Sequence, residues 1–180
     1  DYSLDQGHSQ QQQLEQMHRL ILELQKRLKN VHESNLLWAD YWRYQAKQKI
    51  LDDKDPGIEI QAARAFLKKA LASKIDRYEA VQSLAALSVF EHQWRERTSN
   101  MDLALYTKDI EIMSAKIEEY PELPILRLWR GRLILLSATL DKNDKLRAAK
   151  DDFTSALQQN PLLGNQHSVF YESADAVLLR

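Results

Sequence analysis

The sequence predicts an all-α protein in which antiparallel helical hairpins stack as a short solenoid, preceded by a long N-terminal heptad helix. Its 180 residues include only 4 Gly and 4 Pro, too few for the many turns of a β protein. Apolar residues recur every three or four positions along most of the chain, which is the helical period. The 44% hydrophobic content is enough to bury one substantial core.

The first segments are a short polar tail and one long helix. Residues 1–10 are polar and have no apolar period, so we predict a disordered tail there. No Gly or Pro occurs between residues 8 and 55, and we predict a coiled-coil-like helix over residues 11–54. A helix of about 40 residues would be roughly 60 Å long at ~1.5 Å per residue.

An apolar heptad seam runs along the first part of this helix, and some surface must cover it. A second copy of the chain could do so, with Asn35 at an a position fixing the register. Alternatively, the helix folds back onto the chain's own domain, which the wider apolar face at Leu20 and Leu22 favours. In either case we expect residues 36–50 to pack on that domain. The residues predicted to mediate self-association through residues 14–31 are Leu14, Met17, Ile21, Leu24, Leu28 and Val31.

Residues 56–180 are predicted to form a domain of helical hairpins. The break at residues 55–57 contains Pro56 and Gly57, which end one helix and free the backbone for a turn. Apolar stripes then predict helices over about residues 58–73, 78–97, 103–117 and 146–157. Another helix is predicted within residues 123–140, and a last one from about residue 165 to the end.

Within residues 130–163, Ala149, Phe153, Ala156 and Pro161 follow one another at spacings of four, three and five residues. These are the positions of the small residue, aromatic residue, alanine and terminal proline of the tetratricopeptide repeat, the 34-residue helix-turn-helix unit of binding solenoids, which this segment resembles. The first helix departs from the family, because leucines stand where it usually has Trp and Tyr. The resemblance implies stacked hairpins that bind a peptide or helix, with Phe153 buried between hairpins. The first-helix residues are Leu133, Leu136, Ser137 and Leu140.

No pattern in the sequence indicates catalysis, a cofactor or a metal. Cysteine is absent, the five histidines are scattered, and no phosphate-binding glycine loop occurs. His18 is expected on the solvated flank of the seam. The acidic clusters at 52–55 and 141–144 lack the EF-hand glycine and glutamate, so we interpret them as helix caps. Catalytic, cofactor-binding and metal-binding residues are therefore predicted to be none.

Two groups of residues are candidates for binding a partner. Trp38 and Trp42 share one face of the long helix, where they either dock it onto the domain or form a binding hot spot. In solenoids that the tetratricopeptide resemblance implies, first helices line the concave face, which makes Arg127, Arg130 and Ile134 candidate contacts. The basic and aromatic run at 127–132 also suggests contact with RNA or phosphate, but pairing of its three arginines with nearby glutamates is favoured.

These features predict a non-enzymatic scaffold or adaptor that binds a protein partner. The alternatives are an oligomerising structural or membrane-tethered assembly protein that uses the N-terminal helix, and a helical enzyme with groups that converge only in three dimensions. The net charge of −1 disfavours nucleic acid, and no apolar run reaches the ~18 residues that span a bilayer. The chain begins with Asp1 rather than Met, so we expect a preceding segment. Cytoplasm and bacterial envelope are equally compatible with the sequence.

Overall fold

The structure is a computed structural model that describes residues 2–27, 31–72, 77–136 and 141–163. In those ranges it contains helices and no strand, which confirms the all-α class. The chain divides into two compact units, Asp1–Leu87 and Ser88–Arg180, and the division falls inside the fourth helix. The helices are α1 (Tyr2–Arg27), α2 (Val31–Leu51), α3 (Gly57–Ala72), α4 (Arg77–Arg97), α5 (Leu103–Glu119), α6 (Ile125–Leu135) and α7 (Lys142–Gln159).

Carboxylates begin several of these helices, as the cap interpretation predicted. Asp55 Oδ1 accepts a hydrogen bond from the Gly57 N–H at 2.9 Å where α3 begins. Asp102 caps α5 by accepting from the Leu105 N–H. Asp141 caps α7, accepting from two backbone N–H groups. Each cap satisfies helix N–H groups that have no partner within the helix.

The N-terminal region differs from the single helix predicted over residues 11–54. It forms two helices, α1 and α2, which pack against each other. The rings of His18 and Trp38 lie 5.4 Å apart, whereas 20 residues of straight helix would separate them by about 30 Å. The helices α1 and α2 are therefore not two parts of one straight helix. α1 also begins at Tyr2, inside the segment for which a disordered tail was predicted.

The core of the first unit lies between α2 and α3. Alanines on both helices are buried, among them Ala39, Ala46, Ala63 and Ala70. Small side chains allow the two backbones to approach closely. Trp38 stacks on Phe66 of α3 with the ring centroids 5.9 Å apart. Residues 36–50 thus pack on the chain's own domain, as predicted, with most of them buried or half-buried.

The core of the second unit surrounds α6. One cluster joins Leu128 of α6 to Ala149, Phe153, Ala156 and Leu163 in and after α7. A second cluster contains Val89 of α4, Tyr106 of α5 and Leu133 of α6. Every residue from 123 to 136 is at least half-buried, so α6 is the enclosed helix of this unit. The helix predicted from residue 165 onward lies outside the described residues.

Candidate functional site

An aromatic cluster joins α1 to α2. The ring of His18 stacks on Tyr41 at 5.3 Å and meets Trp38 edge-on at 5.4 Å. Trp38 and Tyr41 themselves lie 5.6 Å apart, edge to face. Because all three rings are in mutual contact, no space remains between them for a ligand cation. His18 is therefore a packing residue and not the solvated side chain that the heptad pattern predicted.

The two tryptophans singled out from the sequence have different environments. Trp38 is buried between α1 and α3 through its contacts with His18 and Phe66. Trp42 is half-buried and touches Tyr41, with ring centroids 5.3 Å apart. Trp38 thus docks the N-terminal helices onto α3, which is one of the two roles predicted for this pair. Trp42 keeps part of its indole accessible.

The predicted oligomerisation seam is only partly covered. Ile21 is buried, with 2% of its surface exposed, and Leu14 and Met17 are half-buried. Leu24, in contrast, is exposed. Leu28 lies outside the described residues, and the side chain of Val31 is likewise not described. The helix α1 therefore packs on α2, the second part of the predicted long helix, whereas the folded-back alternative placed the long helix on the domain of residues 56–180.

Three leucines on α1 face solvent on either side of Ile21. Leu20, Leu22 and Leu24 are 53%, 40% and 37% exposed. Leu20 and Leu24 are four residues apart and so lie on the same flank of the helix. The outward face between the flanks is polar and alternates in sign through Glu15, Arg19 and Glu23. The apolar surface of α1 is thus wider than the part that α2 covers.

Arg130 is bound within the second unit instead of facing a groove. Its Nε and Nη2 donate to the two carboxylate oxygens of Asp152 at 2.8 and 2.6 Å, and Nη1 donates to Ser114 Oγ at 3.1 Å. Asp152 is buried, with 3% of its surface exposed. The hydrogen bond with Asp152 raises the pKa of Arg130 above its usual value. This bidentate pair ties α6 to α7, and the serine adds a link to α5.

The other candidates on α6 are also engaged. Arg127 Nη1 lies 3.8 Å from Asp152 Oδ1, and Ile134 packs against the Phe153 cluster. The guanidinium of Arg132 lies over the Trp129 ring at 5.1 Å, and burial lowers the pKa of Arg132 to about 10. Arg127 and Arg130 are thus engaged with Asp152 of α7, whereas the pairing interpretation predicted nearby glutamates as their partners. Arg127, Arg130 and Ile134 lie together on α6, whereas Trp38 and Trp42 belong to the first unit.

Sequence reasoning missed a buried polar pair in the second unit. His92 Nε2 of α4 lies 3.2 Å from Asp109 Oδ2 of α5, and both side chains are almost completely buried. The His92 ring also meets Tyr106 edge-on at 5.4 Å. The two partners are 17 residues apart on different helices, so no spacing in the sequence announces the pair. Its complete burial makes it a packing element rather than a site that a substrate reaches.

Neither a metal centre nor a membrane span is found in the part of the chain that the structure describes. It contains no group of three or more His, Asp or Glu side chains arranged to hold a metal ion. No helix within the same ranges combines the length and apolarity needed to cross a bilayer. Among the exposed large apolar side chains of those ranges, Leu20, Leu22 and Leu24 lie within five residues of one helix.

No protein-family model, curated protein or solved structure matches this chain. Functional inference therefore rests on geometry. Two groups of side chains stand out in that geometry: the three exposed leucines of α1 and the aromatic face of α2 that α1 partly covers.

Proposed function

We propose that the chain is a non-enzymatic scaffold that binds a partner protein, with α1 as a principal contact. The observation that supports this proposal is the set of three exposed leucines, Leu20, Leu22 and Leu24, within five residues of one helix. Full burial of a fully exposed leucine is worth roughly 1.5–3 kcal/mol, and each of these partly exposed leucines would contribute a part of that, so such a set favours association. A partner helix or peptide with its own apolar stripe would cover Leu20 and Leu24 together.

The charges of α1 support recognition of a helix over non-specific adhesion. Glu15, Arg19, Glu23 and Arg27 follow one another at spacings of four residues, with alternating sign. Such spacing stabilises an isolated helix by about 0.2–0.5 kcal/mol for each opposite pair. The same residues border the leucines and give a partner complementary charges at the rim, where they set orientation more than affinity.

In this proposal, α6 and α7 of the second unit form a tetratricopeptide-like hairpin. Phe153 packs against Ala149, Ala156 and Leu128 and so is buried within the α6–α7 pair, whereas the resemblance implies burial between two hairpins. The close approach of α6 and α7 is achieved at Gly131, whereas the resemblance assigned the small residue to Ser137, which lies outside the described residues. The arginines of α6 are not offered as partner contacts, because they hold Asp152.

A paired-variant capture experiment tests the proposed surface. Leu20→Glu/Leu24→Glu adds two negative charges to one flank of α1, and Gln12→Glu/Gln16→Glu adds the same charge at exposed polar positions of the same helix. Partners captured from the native host by the wild-type chain are quantified by mass spectrometry. We expect the leucine variant to lose them and the glutamine variant to keep them. Equal capture by both variants, with unchanged helicity, contradicts the proposal.

A further inference from the structure

The face of α2 that carries Trp38 and Tyr41 is a seat for an amphipathic helix, and α1 of the same chain occupies it. His18 lies against both rings at 5.3–5.4 Å. Ile21 is three residues after His18, about one helical turn further along α1, and is buried. The structure therefore shows what occupies this face of α2. The occupant is a helix in which an aromatic ring, His18, and an apolar residue, Ile21, are three positions apart.

The attachment of α1 to this seat is slight. Among the α1 residues whose side chains the structure describes, Ile21 is the one that is fully buried. By comparison, α3 contributes Ile60, Ala63, Leu67 and Ala70 to its buried contact face. Opening α1 away from α2 would therefore expose little apolar surface compared with opening α3.

The sequence that joins α1 to α2 favours a different arrangement of these two helices. The apolar alternation of α1 continues without a break into α2, and no Gly or Pro lies between residues 8 and 55. Such a pattern is typical of one continuous helix. In a continuous helix, His18 would be about 30 Å from Trp38 of its own chain. Both the seam of α1 and the aromatic seat on α2 would then be uncovered.

We propose that two copies of the chain exchange α1, so that α1 of each copy occupies the α2 seat of the other. The occupant of the seat is the same helix in both states, so His18 and Ile21 make the same contacts across the pair that they make within one chain. The exchanged form also allows the one continuous helix that the pattern of residues 8–55 favours. Exchange of identical elements is a common route to dimers, and protein concentration decides between the two states.

This inference is independent of the proposed scaffold function. It uses the inner face of α1, with His18 and Ile21, while the scaffold proposal uses the exposed flank with Leu20 and Leu24. Loss of partner capture in the leucine variant therefore leaves the exchange untouched. Failure of the exchange likewise leaves the scaffold surface in place.

The absence of native cysteine allows a direct test by disulfide trapping. Two chains of different mass are mixed, one carrying His18→Cys and the other Tyr41→Cys, then incubated at high concentration and oxidised. The exchanged dimer brings these positions together across chains, so we expect a mixed disulfide. The matched control replaces the neighbouring exposed Arg19 by Cys, and Arg19→Cys with Tyr41→Cys should give several-fold less product. A chain that remains a monomer overturns the proposal. A dimer that is trapped by Ile21→Cys on both chains, and not by His18→Cys with Tyr41→Cys, overturns it as well.

A second test leaves the seat unchanged, so its result does not depend on correct folding of the cysteine variants. Asn30→Pro forbids a continuous helix from α1 into α2, whereas Asn30→Ala favours one. Light scattering across a range of concentrations should show the Pro variant as a monomer and the Ala variant with a larger dimer fraction than wild type. A dimer fraction that does not respond to either substitution counts against the exchange.

Discussion

The ring of Phe153 on α7 lies directly against the backbone of Gly131 on α6. A Cβ placed at residue 131 would come within 2.6 Å of Phe153 Cε1, which is closer than two carbon atoms can approach. Phe153 is itself 1% exposed, so its ring has no solvent-filled space into which it can move. This contact sets how closely α6 and α7 approach each other.

Replacing Gly131 by alanine should destabilise the protein although alanine is the better helix former. Overpacking a core typically costs about 1–3 kcal/mol, while the gain in helix propensity is about 1 kcal/mol. We expect a net loss of stability in urea unfolding. Ala115→Gly, at an exposed position of α5, measures the propensity contribution alone. Adding Phe153→Leu should make the Gly131→Ala penalty smaller, and an additive double variant would show that the two residues do not interact.

Phe153→Ala should cost about 3–5 kcal/mol, because it removes a large buried ring and leaves a cavity. The loss is comparable with much of the roughly 5–15 kcal/mol by which a domain is stable. Thermal unfolding followed by circular dichroism measures the change. Leu162→Ala, at an exposed position near the end of α7, is the control and should change stability by less than about 0.5 kcal/mol.

The two arginines that approach Asp152 should contribute unequally to stability. Arg130→Gln removes a bidentate pair and leaves a buried carboxylate without its cation, at a cost on the order of 3 kcal/mol. Arg127 is 3.8 Å from the same carboxylate, so Arg127→Gln should cost less than about 1 kcal/mol. Denaturant midpoints of the two variants give the comparison. Equal losses would mean that Asp152 does not distinguish them.

The cap of α7 should make stability depend on pH in the acid range. The hydrogen bond from the backbone N–H of Asp144, with that from Asn143, lowers the pKa of Asp141 below its usual value. A depressed folded-state pKa contributes stability that is present above the unfolded value, about 3.9, and is lost as the pH falls through the folded pKa. Asp141→Asn, which keeps a capping side chain, should therefore flatten the stability profile below about pH 4. An unchanged difference between the two proteins from neutral to acid pH argues against this linkage.

The sequence was informative where a side chain acts on its own helix. Pro56 and the acidic caps mark the helix ends, so the positions of α3 to α7 could be predicted closely. The spacing of Ala149, Phe153 and Ala156 places them on one face of α7, and all three are buried. Local signals of this kind are written in consecutive residues, and a single sequence contains them.

Contacts between helices were harder to foresee. The sequence between α1 and α2 carries neither Gly nor Pro, so the heptad pattern alone predicted one straight helix. Arg130 was predicted to contact a partner because first helices line the concave face of tetratricopeptide solenoids, and its actual partner, Asp152, lies 22 residues away on another helix. His92 and Asp109 were missed for the same reason. Pairings of this type depend on which helices become neighbours, and spacing along the chain does not encode that.

The enclosure of α6 has a consequence for how the protein folds during synthesis. Leu128 and Ile134 of α6 are covered in part by the Phe153 cluster, whose members lie mostly on α7. On the ribosome α6 emerges before α7, so these side chains stay exposed until α7 (Lys142–Gln159) has been synthesised. A nascent chain stalled just after residue 136 should therefore present an apolar helix to chaperones, and chains released there should aggregate while the finished protein does not.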